Sequence, residues 1–208
     1  MKTLIAIPCM DTVPTLFLKS LLGLEKGSEC EVALTMSSLI YDARNQLAHK
    51  AIDESFDRIL WLDSDMEFDP DLMNRLHAVL DEGHDMVSAL YFKRKRPYVP
   101  VIYKALYCTQ AKDGKTEHHA DIYRDYPKNE VFEVAACGFG GVLMKTSLVK
   151  AVHEKFGLPF SPILGFGEDL SFCMRAREIG RDIVCDSRIK MGHVAYSVIT
   201  EETYTKEM

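Results

Sequence analysis

The chain has 208 residues, 47% of them hydrophobic, 27% charged and 10% aromatic, which excludes disordered, collagenous and membrane-spanning classes and allows one domain with a sizeable core. With 25 Lys and Arg against 31 Asp and Glu, the formal charge of −6 argues against nonspecific binding to a nucleic acid backbone, so an anionic substrate would need a local basic site or a metal ion. The six cysteines form no CxxC pair and predict scattered reduced thiols, while the absence of a signal-peptide core or of about 18 consecutive apolar residues leads us to expect a cytoplasmic protein without transmembrane segments.

Residues 3–7 form a short apolar run closed by Pro8, the pattern of a buried strand that delivers its C-terminal end to a loop. Ligands of open α/β sheets gather at such ends. A helical stretch over 16–24 precedes a second strand over 31–36, where Ser37 and Ser38 can cap the helix expected over 39–52. Arg44 and Asn45 lie near the start of that helix, placed to face the strand ends.

Residues 58–62 are an uninterrupted apolar strand that runs straight into Asp63, Ser64 and Asp65, followed by Pro70 and a helix over 72–80. A further strand over 85–90 leads into the basic run Lys93 to Arg96, where Lys93 and Arg94 are candidates for phosphate contact and Lys95 reads as solvated. Residues 99–107 are rich in strand formers, and 110–129 turn polar, as expected of a hairpin tip or mobile loop, with His118 and His119 on solvated surface. Strands over 131–136, 141–144 and 183–185, helices over 147–155 and 168–179, and a polar tail complete the chain. The alternation predicts an α/β/α sandwich with a mainly parallel sheet and a small mixed β part in the C-terminal half.

Three clusters bear chemistry. Asp63 and Asp65, two residues apart at a strand end, can hold a divalent cation that also grips a diphosphate, Mg2+ or Mn2+ rather than zinc because the ligands are hard oxygens; alternatively Asp65 caps the next helix. Glu168 and Asp169 follow Gly165 and Gly167 at a helix start, where they are either a first-turn pair stabilised by the dipole or a base beside a reacting hydroxyl. His193 follows Gly192 and is either a structural imidazole or the ligand that completes a carboxylate metal shell. Gly138, Gly140 and Gly141 lack the spacing of a dinucleotide fingerprint or P-loop and mark a tight turn where a sugar or acceptor nears the backbone.

Taken together, Ile5-Ala6-Ile7-Pro8, Ala43-Arg44-Asn45, the run from Ile59 to Asp65, the run from Cys137 to Val142, Gly167-Glu168-Asp169 and Gly192-His193 resemble a GT-A fold glycosyltransferase, closest to the family 2 type, over nearly the whole chain. The resemblance implies a single domain over 1–208, with a nucleotide-binding half over 1–107 and an acceptor-binding, catalytic half over 108–208. It implies a nucleoside-diphosphate sugar donor, UDP-sugar before GDP-sugar, bound by Pro8, Arg44, Asn45, Asp63, Ser64, Asp65, Lys93, Gly140 and Gly141. By the same resemblance Mn2+ or Mg2+ is held by Asp65 and His193, with Asp63 on the metal or the ribose. Asp169 stands in the place of the base of inverting members, with Glu168 orienting acceptor or sugar. The QxxRW motif of processive enzymes is absent after Asp169, where Arg175-Ala176-Arg177 stands, so processive polymer synthesis is not expected. Inversion is favoured, although a metal-binding His after the acidic pair also occurs in some retaining relatives. A metal-dependent nucleotidyltransferase and a noncatalytic sugar-nucleotide-binding module are the competing readings.

Overall fold

The computed structural model describes residues 1–111, 113–163 and 165–196, so the end of the polar tail lies outside the described residues. In chain order the first half is built from β1 (Thr3–Cys9), α1 (Thr15–Gly23), β2 (Cys30–Met36), α2 (Ile40–Asp53), β3 (Arg58–Leu62), β4 (Met66–Glu67), α3 (Leu72–Leu80) and β5 (Met86–Leu90). It continues through β6 (Ile102–Gln110), β7 (Thr116–Ile122), β8 (Val131–Glu133), β9 (Ala136–Cys137), β10 (Gly141–Lys145), α4 (Thr146–Phe156), α5 (Glu168–Glu178), β11 (Val184–Lys190) and β12 (Gly192–His193).

The central sheet has the order β2-β1-β3-β10-β5-β11-β8. Strands β2, β1, β3, β5 and β11 run one way, whereas β10 is antiparallel to both its neighbours and β8 to β11. The sheet is therefore mostly parallel, as the alternation of strands and helices predicts. Period-2 geometry explains why its central strands read as unbroken apolar runs: Leu4, Ala6, Ile59 and Trp61 enter the core beneath α2, α4 and α5, while Ile5, Ile7, Leu60 and Leu62 enter the one beneath α1 and α3. Helices thus cover both faces and give the α/β/α sandwich.

Three local differences from the sequence reading have physical causes. The strand expected over 131–136 is two strands, because Val134 donates to Ile183 O in the main sheet and Ala135 to Tyr103 O in the smaller β7-β6-β9 sheet. The polar segment after residue 110 is the turn and return strand of a hairpin, β6 paired with β7 from Tyr103 with Ile122 to Gln110 with Thr116. Its polarity follows from exposure of that hairpin's tip, which no helix covers. Strands β4 and β12 pair only through Met66 with His193 and Glu67 with Gly192, a ribbon too short to show in hydrophobic periodicity.

Candidate active site

A cavity of about 590 Å3 opens at the C-terminal ends of β1 and β3, lined by Pro8, the loop 9–14, Ser37, Ser38, Ile40, Arg44, Asp63, Ser64, Asp65, Arg94, Glu168, Asp169 and Tyr196. The end of each apolar strand hands polar residues to this crevice, the place where open α/β sheets bind ligands. Its floor is set by the sheet: Asp63 N–H donates to Gly140 O at 3.3 Å, an anchor possible because β10 lies beside β3.

At one end, the β4–β12 ribbon brings Asp65 to His193, with His193 Nε2 3.2 Å from Asp65 Oδ2 and Nδ1 2.9 Å from Phe92 O. The Phe92 carbonyl can only accept, so Nδ1 carries a proton toward Phe92, and the bond to the Asp65 carboxylate needs a second proton on Nε2, so a protonated ring spans the two acceptors. Arg94 also reaches Asp65 Oδ2. Burial works to raise the Asp65 pKa, but the hydrogen bond and charge of His193 and the charge of Arg94 outweigh it and hold this carboxyl below its ordinary value. The Asp65 hydrogen bond in turn raises the His193 pKa against the opposing effect of burial.

At the other end, helix α5 starts at Glu168 behind the N-cap Gly167, whose side chain is absent and so caps nothing. The first turn carries Glu168 and Asp169 where the helix dipole favours negative charge. Asp169 Oδ1 accepts from Leu170 N–H at 2.7 Å. Burial, then the neighbouring Glu168 charge, pushes the Asp169 pKa up to about 6 even though that amide bond and Arg44 act to lower it. Ser171 holds the approach to the helix, accepting from Ile163 N–H at 3.0 Å and donating to Phe166 O at 3.4 Å.

Arg44, only 2% exposed, stands between the two ends. Its Nη2 donates to Asp63 Oδ1 at 2.7 Å and its Nε to Glu168 Oε1 at 3.1 Å. The guanidinium lies over Trp61 and Phe139, 5.6 Å and 5.3 Å from the ring centroids. Its burial works to lower its pKa, and the charges of Asp63, Glu168 and Asp169 overcome this and keep it raised.

The structure thus places Pro8, Arg44, Asp63, Ser64, Asp65, Glu168 and Asp169 on one cavity, with His193 directly behind Asp65. The remaining sequence candidates have other neighbours. Asn45 is 5% exposed and its Oδ1 accepts from Phe160 N–H at 2.9 Å, so it pins the segment that leads to α5. Lys93 is exposed and its backbone N–H donates to Val99 O; its neighbour Arg94 is the basic residue on the cavity. The groups close to the glycine backbone belong to the protein itself: a Cβ at Gly140 would meet Tyr91 Cζ at 2.8 Å, and one at Gly141 would meet Met191 Sδ at 2.1 Å. Gly140 N–H donates to the Tyr91 hydroxyl at 3.2 Å. His118, read as surface, is exposed yet packs edge-on against Phe166 with centroids 5.6 Å apart.

Among the described residues no three His, Cys, Asp or Glu side chains converge as a preformed metal cluster, because Arg44 draws Asp63 away from the Asp65–His193 pair. Sequence reasoning passed over the loop 9–14 and Tyr196 as cavity walls. The bracketing of that loop by Pro8 and Pro14 after a buried strand was the available signal for the first; Tyr196 gave none.

No known protein family and no curated protein matches the sequence. Solved structures do resemble it in fold. The crystal structure of A197 from STIV matches with a TM-score of 0.63 at 18% identity, over 96% of this chain and 97% of that one. The crystal structure of GalNAc-T7 with UDP, GalNAc and Mn2+, a GT-A glycosyltransferase, matches with a TM-score of 0.61 at 9% identity, over 94% of this chain and 43% of that one. At these identities the likeness concerns the fold, which is GT-A-like. No helix among the described residues is long and apolar enough to cross a membrane.

Proposed function

We propose that the protein is a metal-dependent glycosyltransferase that moves a sugar from a nucleoside-diphosphate sugar, UDP-sugar before GDP-sugar, to an acceptor hydroxyl with inversion. The observation that carries this reading is the pairing, on one cavity, of Asp65 with His193 at one end and the high-pKa carboxyl of Asp169 at the other. The GT-A-like fold supports it, as does the binding of UDP and Mn2+ by GalNAc-T7.

The donor set fits the metal. A carboxylate oxygen and the imidazole Nε2 lie 3.2 Å apart, and the imidazole is oriented from behind by Phe92 O, so with the Nε2 proton released Asp65 and His193 would hold Mn2+ or Mg2+. When bound, such an ion neutralises the departing diphosphate. Asp63, with one oxygen taken by Arg44, would accept from a ribose hydroxyl with the other. Arg94 would pass from Asp65 to the diphosphate oxygens, a charge-assisted contact that serves the same leaving group. Asp169, its pKa pushed up to about 6, would take the proton from the acceptor hydroxyl as its oxygen attacks the anomeric carbon. In this reading residues 1–107 supply most donor contacts and 108–208 the base, and Gly140, Gly141 and Asn45 support the site from behind its walls.

A thermal-shift series with UDP, GDP, CDP and ADP, each with and without Mn2+, tests the reading, since a ligand of the folded state raises its apparent stability. We expect a shift that needs both UDP and Mn2+ and is lost in Asp65→Asn. No shift with any pair would overturn it, and release of pyrophosphate from a nucleoside triphosphate would transfer it to nucleotidyl chemistry.

A further inference from the structure

We propose that Arg44 is a positioning residue, a buried strut that holds the donor-side carboxylate Asp63 and the acceptor-side carboxylate Glu168 at a set separation, and is not a ligand of the nucleotide. The proposal rests on the transferase reading for its catalytic consequence, but the strut itself does not.

The geometry separates the two roles. A guanidinium that grips a phosphate presents its fork to the ligand, bidentate and accessible. Here the fork is divided: Nη2 serves Asp63 on the loop after β3, and Nε serves Glu168 on the first turn of α5, 124 residues away from Arg44 in sequence. The side chain is 2% exposed at the cavity wall, packed over Trp61 and Phe139, and its Nη1 is buried without a partner among the described residues. To turn its engaged edge to a nucleotide it would have to release both Asp63 and Glu168, the second largely buried, a substantial cost.

The next residue reinforces the same connection, because Asn45 Oδ1 accepts from Phe160 N–H at 2.9 Å, while Arg175 of α5 itself donates to Pro159 O. Helix α2 therefore grips Phe160 and Glu168 from two successive residues, one by an amide and one by charge. Asp169 follows Glu168 directly, so its carboxyl inherits its position from this grip. Displacement of a catalytic group by about 1 Å costs about 100-fold in rate, which sets the scale of the effect.

The test uses two variants, Arg44→Met and Arg44→Lys, with two independent measurements. The first is UDP affinity in Mn2+ together with UDP release from UDP-glucose, UDP-galactose and UDP-N-acetylglucosamine. A strut acts on UDP only through Asp63, so Arg44→Met should lower kcat about 100-fold while raising the UDP dissociation constant no more than Asp63→Asn does, and Arg44→Lys, which can make one of the two contacts, should recover part of kcat. A rise of UDP dissociation constant of about 30-fold with kcat retained would overturn the proposal. The second is a urea-denaturation cycle of Asp63→Asn, Glu168→Gln and the double variant. A shared guanidinium predicts that the double variant loses more stability than the two singles summed, because only then is the buried charge left with no partner. Additive losses would overturn it. This cycle needs no turnover, so a wild-type protein that neither binds UDP nor releases it would remove the transferase reading and leave the strut to be decided by the cycle, which also serves if Arg44→Met fails to fold.

Discussion

The two ends of the cavity solve the problem of holding negative charge in opposite ways. Around Asp65 the partners are Arg94 and His193, with the Arg94 side chain 52% exposed and His193 20% exposed. Around Glu168 the partner is Arg44, 2% exposed and packed on aromatic rings. Exposed partners lose little when they exchange, since water and screening take up the difference. A buried one cannot exchange without stranding a charge. The difference teaches that the Asp65 end can change its Arg94 partner at little cost, whereas the Glu168 end cannot change its partner without a large one.

The sharpest way to break the comparison is Asp169→Asn. We expect it to cut transfer about 1,000-fold, within the usual range for loss of a general base, and to leave UDP binding in Mn2+ unchanged. The same variant should raise Tm at pH 8. Because the folded pKa is raised from 3.8 to about 6, the folded chain keeps a proton in that window that the unfolded chain has released. The Asp169 contribution to stability therefore falls as pH rises from about 4 to about 6 and is flat above, and Asp169→Asn should remove that contribution. Loss of binding, or a Tm that drops at pH 8, would show that Asp169 is structural.

Next in size is Asp65→Asn, expected to weaken Mn2+-dependent UDP binding about 100-fold with little change in Tm, as calorimetric titration would show. A collapse of Tm would mean that this end is as rigid as the other. Asn45→Ala removes the acceptor for a buried Phe160 N–H and should cost about 1–3 kcal/mol of stability in urea melts. Smallest of all, Arg94→Ala should change stability by less than about 1 kcal/mol, as expected of an exposed ion pair. A pH profile of kcat sharpens the picture from another side: activity should rise with pH through about 6 as Asp169 ionises and then level off.

Much of this arrangement is legible in the sequence, and its gaps are of one kind. The apolar run from Ile59 to Leu62 announces both a central strand and the acids at its end, because burial on two faces leaves no polar residue until the chain emerges. Glycine before Glu168 announces a helix start. Pairwise placement across long separations is not announced: nothing local in Arg44 says that it faces Glu168, and nothing in Gly140 says that its neighbour is Tyr91. A buried arginine and a ligand-facing arginine have the same local sequence, since only tertiary packing decides which way the side chain turns. The glycine run suffers the same ambiguity, as a close approach to backbone looks alike whether the visitor is a sugar or an aromatic ring of the protein.

Strand β10 carries a last consequence. Residues 141–145 fill the middle of the sheet, between β3 and β5, so the sheet's centre is completed by a segment made long after its neighbours. While the ribosome has released only the first hundred or so residues, β3 and β5 each present an open ladder of amides and carbonyls in a strongly apolar setting, a template for wrong pairing. The nascent chain must wait for its keystone, and a fragment ending before it would be expected to aggregate instead of folding on its own.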